Sequence, residues 1–430
     1  MSFKVSEKER FLINFEGQDF SKEGKNFIKV REVALEHLKE VEFPTAKDEL
    51  WKYTSLTALL KEGFKPQTSI NNPHIDAHKI KGLDAYQLVF INGFFAPLFS
   101  DIQEDELGDF FLMNINQAKV KRGQFMEQYF GVLAKAKFSA FNALNAAYSQ
   151  DGVYLHVQPG KKLDKPVHFL FLNEGTNVAS QPRNLIVIGK NAQAEILISY
   201  DTIDAQNALT NVISEYVVLE GGQLTVNKLQ CENDSTYHVS TDSAYQHKNS
   251  VFHINTFPLS GKMIRNNVHV QLDGPGAEAK LFGLNYINAN EHFDNHTFIE
   301  HMKPNCLSTE LYKSVVNDNG VSVFNGKVKV HQDAQKTLAY QSNANIITTD
   351  DAKAYSKPEL EIYADDVKCS HGSTTGQFDE EAVFYLRARG IKESTARKML
   401  LNAFAAEVLD KVENGVVREF IEKKIERKLF

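Results

Sequence analysis

The densest chemistry in the chain lies in the segment Tyr363-Ala364-Asp365-Asp366-Val367-Lys368-Cys369-Ser370-His371-Gly372. On a strand, Cys369 and His371 point to one face, two residues apart. Thiolate and imidazole together suit soft or borderline metals such as iron and zinc. Two ligands do not hold a metal by themselves, so a site here needs donors from another chain or a distant loop. The same pair also reads as a small buried cysteine beside a histidine hydrogen-bonded at a corner, and the residues alone leave both readings open. A second constellation is His292-Phe293-Asp294-Asn295-His296. Alternation puts His292, Asp294 and His296 on one face, with His301 nearby in sequence. Two imidazoles and a carboxylate could form a facial metal triad. The alternative is a polar ladder on the solvated face of a sheet, bonded to its neighbours.

Other chemistries lack their residues. The sequence has no GxxxxGK[ST] phosphate loop, no GxGxxG after a strand and no GxSxG elbow. Lysines and arginines are scattered, without the aromatic interleaving of single-strand nucleic-acid binders. The cysteines, Cys231, Cys306 and Cys369, are few and far apart. They form no CxxC pair, so neither a disulfide framework nor a self-contained metal cage is expected, and a reducing compartment suits them.

The elements that must position these residues change character twice. Up to about residue 150 the pattern is mainly helical. Apolar residues recur at helical spacing from Asn26 to Val41, and further helices are expected over Ile115–Leu133 and Phe138–Tyr148. Between them, Gln87–Ile91 closed by Asn92-Gly93 reads as a strand and turn. From Asp151-Gly152 to Gly376 the period is two, with strands at Val167–Leu172, Leu185–Ile188, Ile196–Tyr200, Leu224–Leu229, Val268–Leu272, Ala279–Leu284, Val321–Phe324 and Leu360–Tyr363, among others. The absence of intervening helices excludes a doubly wound α/β fold. Several strands end in a similar corner: Gly189-Lys190-Asn191-Ala192, Glu220-Gly221-Gly222, Asp273-Gly274-Pro275-Gly276 and Asp318-Asn319-Gly320. That recurrence predicts stacked β coils, with a sandwich as the competing architecture. After Gly376 the period returns to helix. Asp379 is an N-cap, Gly390 a stop, Ala396, Met399, Leu400, Ala403, Phe404 and Val408 mark a second helix, and Val417, Phe420, Ile421, Ile425 and Leu429 a third. This divides the chain into a helical domain (1–150), a β core (151–376) and a helical tail (377–430).

The chain has 430 residues and a formal charge of −7, which suits a soluble globular protein and argues against a nucleic-acid surface. No run reaches the ~18 apolar residues of a membrane span. The opening Met1–Arg10 is too charged for a secretory signal, so a cytoplasmic location is expected.

The stretch from Tyr363 to Glu407, YADDVKCSHGSTTGQFDEEAVFYLRARGIKESTARKMLLNAFAAE, resembles the C-terminal signature of the SufB/SufD family. Phe43–Leu56 resembles the family's PTxKxExWRYTSL element, and Pro304–Thr337 resembles its later β-helix coils. Cys369-Ser370-His371-Gly372 and Phe384–Gly390 are similar to the SufD-like members. SufB-like members place a cluster-building cysteine where Leu338–Ile347 has none. The resemblance implies a right-handed parallel β-helix flanked by helical domains, in a non-enzymatic scaffold for iron–sulfur cluster assembly. It implies pairing with SufB through the β-helices, and a transient cluster at that interface with His371, neighboured by Cys369, on this side. No cofactor is then expected in the isolated chain, which could form a homodimer instead. The terminal helices, with Phe384, Tyr385, Arg389, Met399 and Phe404, are implied to dock SufC, an ABC-type ATPase. The rivals are a SufB-like cluster-holding subunit and a β-helix carbohydrate-active enzyme, a class usually secreted.

Overall fold

The computed structural model describes residues 6–67, 74–101 and 108–429, Leu429 by its backbone alone. Met1–Val5 therefore lie outside the described residues. The middle of the chain winds into a parallel β-helix of about eight turns. Two sheets alternate along it. One begins with Tyr86–Ile91 and runs through Val167–Ser180 and the first half of Gln193–Val218. It continues through Gln223–Cys231, Val251–Ser260, Glu278–Ile287, Leu307–Val316 and Thr337–Ile347 to Val367–Gln377. The other runs from Val153–Val157 through Arg183–Ile188, the second half of Gln193–Val218, Thr236–Gln246, Met263–Leu272, His292–His301 and Val321–Val330 to Lys353–Ile362.

The corners set the repeat. Gly160, Asn191, Gly221, Asn249, Gly276, Asn305 and Lys336 all have positive φ. Each donates its N–H to a carbonyl at the corner of the next coil, as Asn191 does to Glu220 and Gly221 to Lys248. Glycine and asparagine tolerate that left-handed conformation, which is why the Gly- and Asn-rich corners could be read from the sequence. Three of the four corners picked out there belong to this column. Asp318, also at positive φ, sits on a different corner of the coil.

Parallel strands covered on both faces need long apolar runs, and these coils have them. Ile196, Val226, Ile254 and Leu281 stack as one inward column. The outer faces are covered by the flanking helices. On the first sheet, Leu197, Leu229, Phe257, Phe282 and Leu311 pack against Leu401, Ala405, Val408, Val417, Ile421 and Ile425 of the tail. On the second, Tyr237, Val239 and Met263 pack under Phe11, Phe43, Trp51 and Phe141.

Three expectations shift. The strand expected within 1–150 is Tyr86–Ile91, and it pairs with Val167–Leu172, so the β-helix recruits its first rung from the N-terminal third. The helix expected over Ile115–Leu133 is confined to Ile115–Lys121 and Gly123–Met126. Beyond it, the N–H groups of Gly131, Leu133 and Ala134 donate to the buried Glu215 carboxylate, which also pairs with Arg183. That tertiary anchor takes the amides a longer helix would have used. Thr236–Gln246 and Val251–Ser260 are full strands with no counterpart in the sequence pattern, because lumen residues such as Ser240, Asp242 and Thr256 break the alternation.

The two ends differ. At the N-terminal end each sheet is followed by an antiparallel strand: Phe94–Phe95 on Tyr86–Ile91, and Phe110–Asn114 on Val153–Val157. At the C-terminal end no strand among the described residues pairs with the far edge of Val367–Gln377 or Lys353–Ile362.

Candidate functional site

Cys369 and His371 lie on that last rung. Their strand pairs with Thr337–Ile347, placing Cys369 opposite Ala339 and His371 opposite Gln341. Ala339 belongs to the lumen core, and Cys369 packs against it, so the thiol points inward and is half-buried. Burial pushes the thiol up from its ordinary range, so it is protonated at neutral pH until a metal or base takes the proton. His371 continues the inward column of Ile254, Leu281, Glu310 and Gln341, yet it is exposed because the coil stack ends there. The pair thus faces out through the open mouth of the lumen. Among the described residues no three His, Cys, Asp or Glu side chains come together in a way that could hold a metal. Apolar surface near the mouth stands in solvent: Ile362 and Tyr363 on the last turn, Tyr363 by 61%, and Leu338 and Tyr340 on the outer face one rung back. The sequence carried a weak signal for this rim, since Leu338 and Tyr340 are large apolar residues at alternate positions of an otherwise polar strand.

The other cysteines are packing residues. Cys306 is buried at a corner with its Sγ 3.3 Å from the Gly274 carbonyl oxygen. Cys231 lies beneath the terminal helices, and burial pushes its thiol up to about 12.

His292, Asp294 and His296 share an outward face, but that face is covered. The Asp294 carboxylate accepts from Arg265 Nη1 and from the Thr54 hydroxyl, both at 2.5 Å, and lies 2.9 Å from His296 Nε2. His292 Nε2 is 2.8 Å from the same Thr54 hydroxyl. Arg265 in turn stacks under Trp51 at 4.2 Å and donates to the Leu50 carbonyl. Burial alone would raise Asp294, but Arg265, His296 and Thr54 hold it well below the usual carboxylate range. Burial lowers both histidines, so they stay neutral. The expectation of a solvated ladder is corrected here: the cluster is a buried clasp that fastens Leu50–Thr54 to the second sheet.

In the tail, Asp379 caps the helix Glu380–Ala388, accepting from the Ala382 N–H, and Gly390 ends it at positive φ. This helix buries Val383 and leaves Phe384 72% and Tyr385 55% exposed. The Arg389 guanidinium lies 4.4 Å from the Tyr385 ring. Met399, on Glu393–Leu409, is 48% exposed. Phe404 is turned the other way, toward the β-helix, with Lys313 Nζ 4.6 Å from its ring. The structure therefore groups Phe384, Tyr385 and Arg389 on one exposed helix, with Met399 exposed on the next, and sets Phe404 among the residues that hold the tail down.

Comparison with known proteins gives a consistent picture. Residues 171–404 match the profile of the SUF system FeS cluster assembly, SufBD core domain, and residues 17–169 that of the SufBD protein N-terminal region. The chain is 32% identical to an iron–sulfur cluster assembly SufBD family protein of Synechocystis, over 89% of this chain and 86% of that protein. It is 30% identical to the iron–sulfur cluster assembly protein SufD of Escherichia coli, over 92% and 91%. It is 26% identical to the chloroplastic protein ABCI7 of Arabidopsis thaliana, over 91% and 84%.

Proposed function

Because the chain belongs to the SufBD family of iron–sulfur cluster assembly proteins, we propose that it is a SufD-type, non-catalytic scaffold subunit in the cytoplasm. It pairs end to end with a SufB-type subunit and carries a SufC-type ATPase on its tail. The cluster is cargo, assembled where the two β-helices meet.

The observation that carries this reading is the asymmetry of the two ends. Unpaired strand edges are a standing invitation to another chain, and this fold covers them at the N-terminal end while leaving both exposed at the mouth. The exposed Leu338, Tyr340, Ile362 and Tyr363 supply apolar area around them. His371 and Cys369 face out of the same opening, where a partner's thiolates and carboxylates complete a ligand set that two residues cannot. Without the partner, a second copy of the chain can occupy the same edges.

The tail supports the other half of the reading. Phe384, Tyr385, Arg389 and Met399 form an apolar and cationic surface on two helices, of which Glu380–Ala388 packs on Glu393–Leu409 and Glu393–Leu409 is anchored to the first sheet. ATP-driven movement of a protein docked there is transmitted to the β-helix as a rigid body, and so to the mouth. Co-expression of the chain with SufB- and SufC-type partners tests the reading. A stable three-component complex with iron and sulfide is expected. Failure to co-purify with either partner overturns it.

A further inference from the structure

In the column that ends at His371, the apolar rungs Tyr86, Val167, Ile196, Val226, Ile254 and Leu281 are followed by two buried polar ones, Glu310 and Gln341. Among the described residues no cation pairs with Glu310, and burial pushes its carboxyl up to about 7. Its oxygen Oε2 accepts from Gln341 Nε2 at 2.6 Å. In the structure that bond turns the amide nitrogen toward Glu310. The amide's other end, Oε1, is buried with no hydrogen-bond partner among the described residues. The site is shaped around this amide, because a Cβ on Gly326 of the opposite sheet would lie 2.2 Å from Gln341 Nε2. The next residue in the column is His371, one strand spacing of ~4.8 Å further on.

A histidine that binds metal through one ring nitrogen has an N–H on the other, and ligating histidines usually give it to a carbonyl or carboxylate oxygen. We propose that Gln341, oriented by Glu310, is the positioning residue for His371: its Oε1 accepts one imidazole N–H and leaves the other ring nitrogen bare toward the mouth. This deepens the proposed role of His371 and rests on it. It assigns Glu310 and Gln341, the polar pair in the column behind His371, to a single task, and it explains why an orphaned acceptor is kept one rung below an exposed imidazole.

The test has a readout independent of cluster content. Nitrogen-15 NMR of the histidine side chains in the isolated, full-length chain reports the tautomer of His371, assigned by its loss in His371→Gln. The expected result is one dominant neutral tautomer in the wild type. Gln341→Met should convert it to the averaged mixture of a free imidazole. Glu310→Leu should do the same by releasing the amide, whereas Glu310→Gln, which keeps an acceptor for Gln341 Nε2, should preserve the wild-type signal. In the assembled complex, Gln341→Met should lower iron retention about 10- to 100-fold. An averaged mixture in the wild-type chain, which needs no variant to fold, overturns the inference. So does a dominant tautomer unchanged in a folded Gln341→Met chain. If His371→Ala leaves the iron of the complex intact while Gln341→Met still shifts the tautomer, the positioning contact stands and the ligand role proposed for His371 is what fails.

Discussion

At Glu310 a carboxyl is buried in the lumen with no cation paired to it among the described residues, and its titration has a readable sign. The folded chain holds its proton up to about pH 7, while an unfolded glutamate releases it near 4.5. Between those values the native state binds more protons than the unfolded one, so this group makes stability fall as pH rises. Glu310→Gln, which keeps the shape and the bond to Gln341, should remove that slope. Chemical denaturation at pH 5 and pH 7 should show the variant gaining on the wild type by about 2 kcal/mol across the window. Asp151, pushed up to about 6 by burial, has the same sign and remains in both proteins, so the difference between them is the quantity to measure. A difference that does not change with pH would mean that Glu310 is ionised in the fold. Neither Glu310 nor Gln341 stood out in the sequence, while Cys369 and His371 did. Residue type and spacing mark a pair on one strand, but a column through the lumen exists only once the registers of successive coils are known. The same limit explains the clasp: His292, Asp294 and His296 were visible as a motif, and their partners Arg265 and Thr54 were not, because nothing in the sequence ties Thr54 to a strand that begins at His292.

Coils with long apolar lumen runs, such as Ile196–Tyr200 and Ala279–Leu284, were legible as elements, though the short first strand Val153–Val157 was not. The corner column at Asn191, Gly221 and Gly276 and the change of period at Asp151-Gly152 were readable for the same reason, since left-handed backbone restricts the residues that fit. Strands with hydroxyl, amide or carboxyl groups turned inward were harder to read, and a helix was overextended where the buried Glu215 claims its amides. Two glycines separate a structural from an external requirement. Gly152, at the start of the coils, has φ +156, and a Cβ there would sit 1.9 Å from the Arg183 carbonyl oxygen. Gly152→Ala must move backbone and should cost about 3 kcal/mol or more, seen as a thermal midpoint several degrees lower. Gly372, in the Cys-Ser-His-Gly segment, has open space where a Cβ would go. Gly372→Ala should leave the midpoint of the isolated chain within a degree or two. Equal effects of the two substitutions would refute this reading of the first coil.

On the scale of the whole molecule, each covering of the β-helix has a different exposed side. The tail buries Leu401, Ala405, Val408, Ile421 and Ile425 against the first sheet, so deleting it would strip an apolar face as well as any docking surface. Point changes on its outer side separate the two effects. Phe384→Glu, at a residue 72% exposed, should keep the fold and the thermal midpoint while abolishing capture of the ATPase, because a carboxylate buried without a partner costs several kcal/mol. Undiminished capture would move docking away from Glu380–Ala388. The role of the mouth is decided by iron and sulfide per complex, measured for the wild-type three-component assembly, the His371→Ala assembly and the isolated chain. The expected result is a loaded wild-type complex, a His371→Ala complex that assembles fully but holds at least tenfold less iron, and an isolated chain without stoichiometric iron or sulfide. A fully loaded His371→Ala complex, or a stoichiometric cluster on the chain alone, would contradict it.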